Sequence, residues 1–185
     1  MSRTSAAALL MVLMLPSATS AERDYGILGQ EAAGWGVESW ANLPKDQTAL
    51  DIGDFSGKVL YLYCFQSWCP GCHKHGFPTL QKLVKKYHGD PAVGFVAVQT
   101  VFEGFTHNTV EKGRKTVKEY GLTIPVGHSG SAEKYSTLMA RYRTGETPWT
   151  IIIDSRGDVR FNGFFVTVEG ASAIIDSLKQ ERAKD

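Results

Sequence analysis

Two cysteines separated by two residues follow directly on an apolar run, and this junction constrains the fold more than any other part of the sequence. The run Val59–Phe65 is short and rich in aromatic and β-branched residues, as is typical of a buried β-strand. After Cys72 the apolar residues recur at helical spacing, which predicts a helix. These residues are Leu80, Leu83, Val84 and Tyr87. Cys69 is therefore expected where a strand ends and a helix begins.

That position gives the cysteine pair its predicted chemistry. The unpaired N–H groups of a first helical turn favour an anion, so an exposed thiol there ionises more easily. A thiolate with a second thiol one turn away can attack a disulfide and then be displaced by its neighbour. An inert structural bridge is less favoured, because a disulfide between residues i and i+3 closes a very short loop. We predict Cys69 as the exposed nucleophile, Cys72 as the buried resolving thiol, and Cys64, inside the strand, as an inert buried residue.

The amino-terminal residues predict export. Arg3 is followed by the apolar residues 6–15, by Pro16 and by small residues ending at Ala21. This pattern is typical of a signal peptide over residues 1–21 that is cleaved after Ala21, which predicts a periplasmic or secreted protein. A retained membrane anchor is the alternative, but the apolar stretch is shorter than the roughly 20 residues that span a bilayer.

The remaining chain has 185 − 21 = 164 residues, the size of one domain. We predict a loose arm over residues 22–36 and a folded domain over residues 37–185. The net charge is +1 and no basic cluster stands out, so nucleic acid is not an expected partner. Three cysteines are too few for a disulfide-stapled scaffold.

Strands and helices alternate along the predicted domain. Further strands are expected at residues 37–43, 93–98, 124–126, 149–153 and 159–163. Further helices are expected at residues 109–120, 131–142 and 168–179. In the second of these, Tyr135, Leu138, Met139 and Tyr142 share an apolar face. The early alternation favours parallel strands with crossover helices, and the late pair of strands favours a hairpin. His88, His107 and His128 fall in predicted turns or loops and are expected to be solvated.

Four stretches of the sequence resemble one known family in the expected order. They are residues 54–60, the motif Trp68-Cys69-Pro70-Gly71-Cys72, residues 120–126 and residues 145–157. The chain is similar to the thioredoxin superfamily and, within it, to the exported TlpA-like thiol–disulfide oxidoreductases. The resemblance implies an α/β thioredoxin-like fold, with a central mixed β-sheet flanked by helices, an N-terminal extension and an inserted helix. It also implies exchange of disulfides with protein clients and an upstream electron donor, more as a reductant than as an oxidant, and without a cofactor.

The same resemblance assigns residues to client binding. The family's cis-proline corresponds to Pro148, next to Thr147, whose backbone is then expected to face the cysteines and to pair with an extended client. An ordinary trans proline that opens an edge strand is the alternative. Trp68 is expected to shield one side of the pair and to offer clients an apolar surface.

Three positions depart from the family pattern. His75 stands where the TlpA-like proteins often have a glutamate, and Tyr63 stands where thioredoxins have a buried aspartate. Pro78 comes one residue later than the helix proline of the family, so the first helical turns are expected to be rearranged. Neither usual carboxylate proton shuttle is in place. His73 or His75 is a candidate replacement, since imidazole titrates near neutral pH, and exposed helix residues are the alternative.

Three other functions use the same residues. Residues 69–73 also fit the Cys-x-x-Cys-His pattern of covalent c-type haem attachment, with Met139 or another histidine as second axial ligand. The cysteine pair with His73 and His75 offers ligands for zinc or copper, although only the cysteines have ligand spacing. No metal site is expected on that basis. A peroxiredoxin-like peroxidase would need Ser or Thr where this chain has Gln66.

Overall fold

A six-stranded sheet forms the centre of the protein in a computed structural model that describes residues 25–183. The strands are β1 (Ser39–Ala41), β2 (Val59–Phe65), β3 (Val93–Thr100), β4 (Val126–Ser129), β5 (Trp149–Ile153) and β6 (Val159–Gly163). The helices are α1 (Phe77–Lys86), α2 (Val110–Glu119), α3 (Thr137–Tyr142) and α4 (Val168–Arg182). A 3₁₀ turn covers Ile52–Phe55, and a π-helical turn covers Cys72–Gly76.

The sheet is mixed, with the strand order β1-β4-β3-β2-β5-β6. Strands β2, β3 and β4 run parallel, whereas β5 is antiparallel to β2, β6 to β5 and β1 to β4. This is the predicted combination of parallel crossover units with a late hairpin. The helix α2 is the predicted inserted helix, and it connects the parallel strands β3 and β4.

Strand β2 runs through the middle of the core, and all seven of its residues are buried. Its odd-numbered residues pack with α1 and α4 on one face of the sheet. Its even-numbered residues pack with α3 on the other face. Burial on both faces explains why the sequence of β2 is apolar throughout rather than alternating. Cys64 lies on the second face, whereas Cys69 and Cys72 belong to the first.

The segment over residues 25–36 is not the loose arm that the sequence predicts. The side chain of Trp35 is fully buried, and its backbone N–H donates to Asp51 Oδ1 at 2.8 Å. The N–H of Gly29 donates to the carbonyl of Val159 in β6 at 2.8 Å. The prediction failed because an irregular segment has no hydrophobic period, although a single aromatic residue and a few edge hydrogen bonds are enough to fix it to a sheet.

Helix α3 is shorter than the sequence predicts. It begins at Thr137 instead of residue 131, because the hydroxyl of Ser136 caps it by accepting from the N–H of Met139 at 3.2 Å. Tyr135, expected on the apolar face, precedes the helix and is 58% exposed. The capping serine therefore overrides an apolar period that continues upstream.

The predicted signal peptide, residues 1–21, lies outside the described residues, as do residues 22–24 of the predicted arm. Within residues 25–183, no helix combines the length and the apolar character that crossing a bilayer requires.

Candidate active site

The cysteine pair lies at the predicted junction of strand and helix. Strand β2 ends at Phe65, and a turn closed by the Cys69 N–H and the Gln66 carbonyl leads into helical residues from Pro70 onward. The first cysteine thus stands directly before the first helical turn. The second cysteine opens the π turn that joins this start to α1.

The π turn accommodates the late proline of this chain. The N–H of Phe77 donates to the carbonyl of Cys72, five residues earlier, and this longer bond takes up one extra residue before Pro78. Gly76 lies where a side chain has no room. A Cβ there would overlap the hydroxyl oxygen of Tyr63 and would lie 2.6 Å from the ring carbon Cζ. The expected rearrangement of the first turns is confirmed, and the glycine and the tyrosine fix its form.

The environment of Cys69 favours its thiolate. Its sulfur accepts a hydrogen bond from the Cys72 N–H at 3.2 Å and lies 3.4 Å from the Thr147 carbonyl oxygen. The hydrogen bond with the Cys72 thiol contributes most to lowering the pKa of Cys69, the N–H groups of Cys72 and Gly71 contribute as well, and burial opposes them; together they give a pKa of about 6. Cys69 is buried, with only 8% of its surface exposed, so the expectation of an exposed nucleophile is wrong.

Cys72 is fully buried against aromatic rings. Burial raises the pKa of the Cys72 thiol well above its usual value, and the hydrogen bond to Cys69 raises it further. Tyr63 and Phe77 pack edge to face in the same cluster, with ring centroids 5.3 Å apart. The Tyr63 hydroxyl donates to the Cys72 carbonyl at 3.5 Å. Among residues 25–183, no carboxylate hydrogen-bonds to either sulfur.

The client-binding residues predicted from the family surround the pair. The peptide bond between Thr147 and Pro148 is cis, as the resemblance implies. A Cβ on Gly71, between the two cysteines, would lie 3.2 Å from Pro148 Cδ and 4.0 Å from the Cys69 sulfur, so the proline ring faces the pair. Trp68, which precedes Cys69 in the chain, is 49% exposed. The structure therefore brings Thr147 and Pro148 to the pair and leaves Trp68 open to solvent.

The two histidines have different surroundings, and neither hydrogen-bonds to a sulfur in the described part of the chain. His73 Nε2 bonds to the Ser67 carbonyl at 2.7 Å, and its Nδ1 bonds to the Tyr120 hydroxyl at 2.8 Å. His75 is exposed and packs against Phe165, with ring centroids 5.6 Å apart. A proton shuttle through either ring stays a prediction. His73 connects Ser67, in the turn before Cys69, to Tyr120, which follows the C-terminal end of α2.

A buried amide network behind the redox loop was not predicted. Gln99, the last residue but one of β3, accepts from the Ser67 N–H at 3.2 Å and donates to the Thr109 carbonyl at 2.8 Å. It also bonds to His128 at 3.0 Å. His128 is half-buried in β4, which continues beyond the predicted strand end, so the expectation that it is solvated is wrong. Asn108 joins the network by donating to Gln66 at 2.9 Å.

One sequence signal for this network was available. The apolar runs of β2 and β3 both end in glutamine, and parallel strands bring their carboxyl ends to one edge of the sheet. A polar side chain at the end of a buried strand needs a buried partner. Gln66 and Gln99 could therefore have been expected to share a buried hydrogen-bond partner.

The geometry bears on the alternative functions. Both ring nitrogens of His73 already have partners, and Cys72 is fully buried, so the residues of the haem motif are not arranged to hold a porphyrin. Within residues 25–183, no three His, Cys, Asp or Glu side chains converge as a metal site would require. Gln66, at the position where peroxidases need a hydroxyl, is buried and bonded to Asn108.

The fold and the site together define a class of protein. A mixed sheet flanked by helices carries a Cys-x-x-Cys pair at a helix start, facing a cis-proline, which is the arrangement of the thioredoxin superfamily. The sequence model of the Redoxin family matches residues 17–171, and the chain belongs to this family. The resemblance read from the sequence motifs is thereby confirmed.

Curated relatives match part of the chain. The thiol–disulfide oxidoreductase ResA of Oceanobacillus iheyensis is 31% identical over 114 residues, which are 62% of this chain and 53% of the relative. The ResA of Bacillus cereus is 26% identical over 110 residues, 60% of this chain and 57% of the relative. The chain thus spans about half the length of the curated relatives it matches.

Solved structures match over a larger share. A crystal structure of a thioredoxin-like superfamily protein has 31% identity and a TM-score of 0.72, covering 80% of this chain and 95% of the other. A thiol–disulfide isomerase from Corynebacterium glutamicum has 27% identity and a TM-score of 0.70, with 81% and 96% covered. These similarities confirm the predicted fold class.

Proposed function

We propose that this protein exchanges disulfides with protein clients through Cys69 and Cys72. The observation that carries the proposal is the paired environment of the two thiols. One has a pKa of about 6 at a helix start, and the other is buried one turn away with a raised pKa. The first is a thiolate at neutral pH, and the second stays protonated until it attacks the mixed disulfide. The names of the relatives support the same activity.

The reaction proceeds in two exchanges. The Cys69 thiolate attacks one sulfur of a client disulfide, a new S–S bond forms, and the other client sulfur leaves as a thiolate that takes up a proton. Cys72 then loses its proton and attacks the Cys69 sulfur. The mixed disulfide breaks and releases the second client thiolate. The client has gained two electrons, and the protein holds a Cys69–Cys72 disulfide that an upstream dithiol donor reduces again.

The second exchange requires a thiolate on the buried Cys72, and Tyr63 is placed to stabilise it. Burial raises the pKa of Tyr63 well above its usual value, so the hydroxyl keeps its proton and can donate it in a hydrogen bond. The hydroxyl donates to the Cys72 carbonyl oxygen, and it also acts on the Cys72 thiol as a hydrogen-bond donor that lowers the pKa of this thiol, against the larger effect of burial. In this chain the hydroxyl occupies the place where thioredoxins have a carboxylate, so it assists by donating a hydrogen bond and not by accepting the proton.

Clients bind around the first sulfur in this account. Trp68 supplies a half-exposed apolar surface next to Cys69 in the chain, while the Thr147 carbonyl lies 3.4 Å from the Cys69 sulfur and Pro148 faces the pair. The Thr147 backbone pairs with an extended client segment as an added strand would. We further propose export with cleavage after Ala21 to the periplasm or the exterior, from the predicted leader. The reducing direction rests on family analogy.

The test is to trap the intermediate. Purified Cys72→Ser is mixed with insulin, whose disulfides serve as the probe, and the products are separated without reductant. The variant should accumulate an adduct that dithiothreitol releases, because the resolving thiol is gone. Cys69→Ser should form no adduct, and Cys64→Ser should reduce insulin as the unaltered protein does. Absence of an adduct with Cys72→Ser, or an adduct that survives dithiothreitol, contradicts the proposal.

A further inference from the structure

A shallow groove of about 200 Å³ lies between the redox motif and helix α2. Its wall on the redox side consists of Ser67, Trp68 and His73. Its wall on the helix side consists of His107, Lys112, Lys115, Thr116 and Glu119. Because Trp68 immediately precedes the nucleophile Cys69, a client that reaches this sulfur passes beside the groove.

The groove is cationic although the chain is nearly neutral. Two lysines, Lys112 and Lys115, and one glutamate, Glu119, line the groove, which gives its lining a formal charge of 2 − 1 = +1. Within residues 25–183, the Lys112 ammonium group has no ion-pair partner. Lys115 pairs with Glu119 at 3.7 Å, but the two side chains are 74% and 56% exposed, so water weakens the pair. The two lysines are therefore available to an anion.

The remaining polar groups of the groove leave these lysines as its main ligands. Both ring nitrogens of His73 are taken by partners in the protein. His107 keeps one free nitrogen, since its Nδ1 bonds to the Thr106 hydroxyl at 3.1 Å. Arg114 of the same helix bonds to the Trp40 carbonyl at 3.0 Å, away from the groove.

We propose that this groove binds the carboxylates of a client segment that flanks the reacting disulfide. The preferred clients then carry Asp or Glu close to the attacked cysteine. The inference rests on the proposed disulfide exchange and names the class of client that it prefers. Two ammonium groups with one acidic neighbour suit one or two carboxylates. A polyanion would need a longer basic surface.

The experiment compares three synthetic peptides that share one intramolecular disulfide and differ only in its flanks, which are two Asp, two Asn or two Lys residues. The readout is kcat/KM for reduction of each peptide at low salt. An exposed ion pair is worth about twofold to fivefold, so two pairs predict about a tenfold preference for the Asp peptide over the Lys peptide. At 1 M salt the Debye length falls to about 3 Å, and the preference should shrink severalfold.

Charge-reversed variants locate the effect. The double variant Lys112→Glu with Lys115→Glu should reverse the order and favour the Lys peptide, while its rate on the Asn peptide changes less than twofold. The matched control is the double variant Lys82→Glu with Lys85→Glu, two exposed lysines of α1 about 15 and 20 Å along the helix from Cys72. It makes the same change in net charge and should leave the preference unaltered.

The outcomes separate the two proposals. Reduction of none of the three peptides by the unaltered protein contradicts disulfide exchange itself. Equal rates on the three peptides are consistent with disulfide exchange but overturn the proposal that the groove binds client carboxylates. A preference that the α1 control variant, Lys82→Glu with Lys85→Glu, lowers as much as the groove variant does also overturns it, because the effect would then come from net charge alone.

Discussion

Replacing Cys72 by alanine should raise the pKa of Cys69, because the Cys72 thiol makes the largest contribution to lowering it. At a pKa of about 6, Cys69 has about ten thiolates for each thiol at pH 7. An ordinary cysteine with a pKa of about 8.5 has about one thiolate for thirty thiols. The thiolate fraction at pH 7 can therefore fall by up to about thirtyfold. The N–H groups of Cys72 and Gly71 remain in the variant, so we expect a fall between twofold and this limit.

The assay is the pH dependence of alkylation by iodoacetamide, read by mass spectrometry as modification of Cys69. The midpoint of the titration must be used, and not the rate at one pH. A thiolate of higher pKa is more nucleophilic, which partly hides the loss of thiolate. Cys72→Ser keeps a hydroxyl that can donate, so its midpoint should lie between those of the unaltered protein and Cys72→Ala. Cys64→Ala should change nothing, since this thiol lies on the opposite face of the sheet and burial raises its pKa.

Two results would refute this reasoning. If Cys72→Ala titrates at the same midpoint as the unaltered protein, the neighbouring thiol does not stabilise the Cys69 thiolate. If the unaltered protein itself titrates near 8.5, the helix start and the paired thiol do not activate the nucleophile at all.

Three further predictions follow from the buried groups around the site. Tyr63→Phe should slow the second exchange, so that mixed disulfide accumulates in a rapid-quench experiment. The free energy of unfolding should fall by only about 0.5 kcal/mol, because the lost hydrogen bond to the Cys72 carbonyl is long. An unchanged rate of the second exchange would contradict the role of the hydroxyl. Gln99→Leu should lower the free energy of urea unfolding by about 1–3 kcal/mol, because the Ser67 N–H loses its acceptor and buried carbonyls lose their donor; a neutral substitution would show that water replaces the amide. The reduced protein should gain stability as pH rises from about 6 to 8.5, because the pKa of Cys69 is lower in the folded than in the unfolded protein. The gain is complete above the unfolded pKa and is lost as pH falls through the folded pKa. Thermal unfolding of Cys69→Ala should lack this dependence on pH.

The sequence sufficed for the features that depend on local pattern. The uniformly apolar stretch Val59–Phe65 predicted the central strand, and the cysteine spacing after it predicted a thiol at a helix start. The late position of Pro78 predicted a rearranged first turn, which is the π turn Cys72–Gly76. The first two follow from the order of residue types over a few positions, and the third follows from the departure of Pro78 from the pattern of the family that the chain resembles.

Features that depend on contacts between distant residues were missed. The segment at Trp35 is held by Asp51 and by the edge of β6, and nothing in its own residues indicates this. Tyr63 was recognised as a departure from the family, but the room that Gly76 leaves for its hydroxyl is visible only in three dimensions. The amide of Gln99 likewise joins parts of the chain that only the sheet brings together.

The most direct test of the account is to equilibrate the protein in glutathione buffers of graded potential and to count free thiols after an acid quench. The account predicts that two of the three thiols disappear together in one two-electron transition, while Cys64 stays free, with a midpoint near about −270 mV if the protein is a reductant. A midpoint near about −120 mV would contradict the reducing direction. Three free thiols at every potential, or a stable glutathione adduct on Cys69 without a Cys69–Cys72 bond, would contradict disulfide exchange itself.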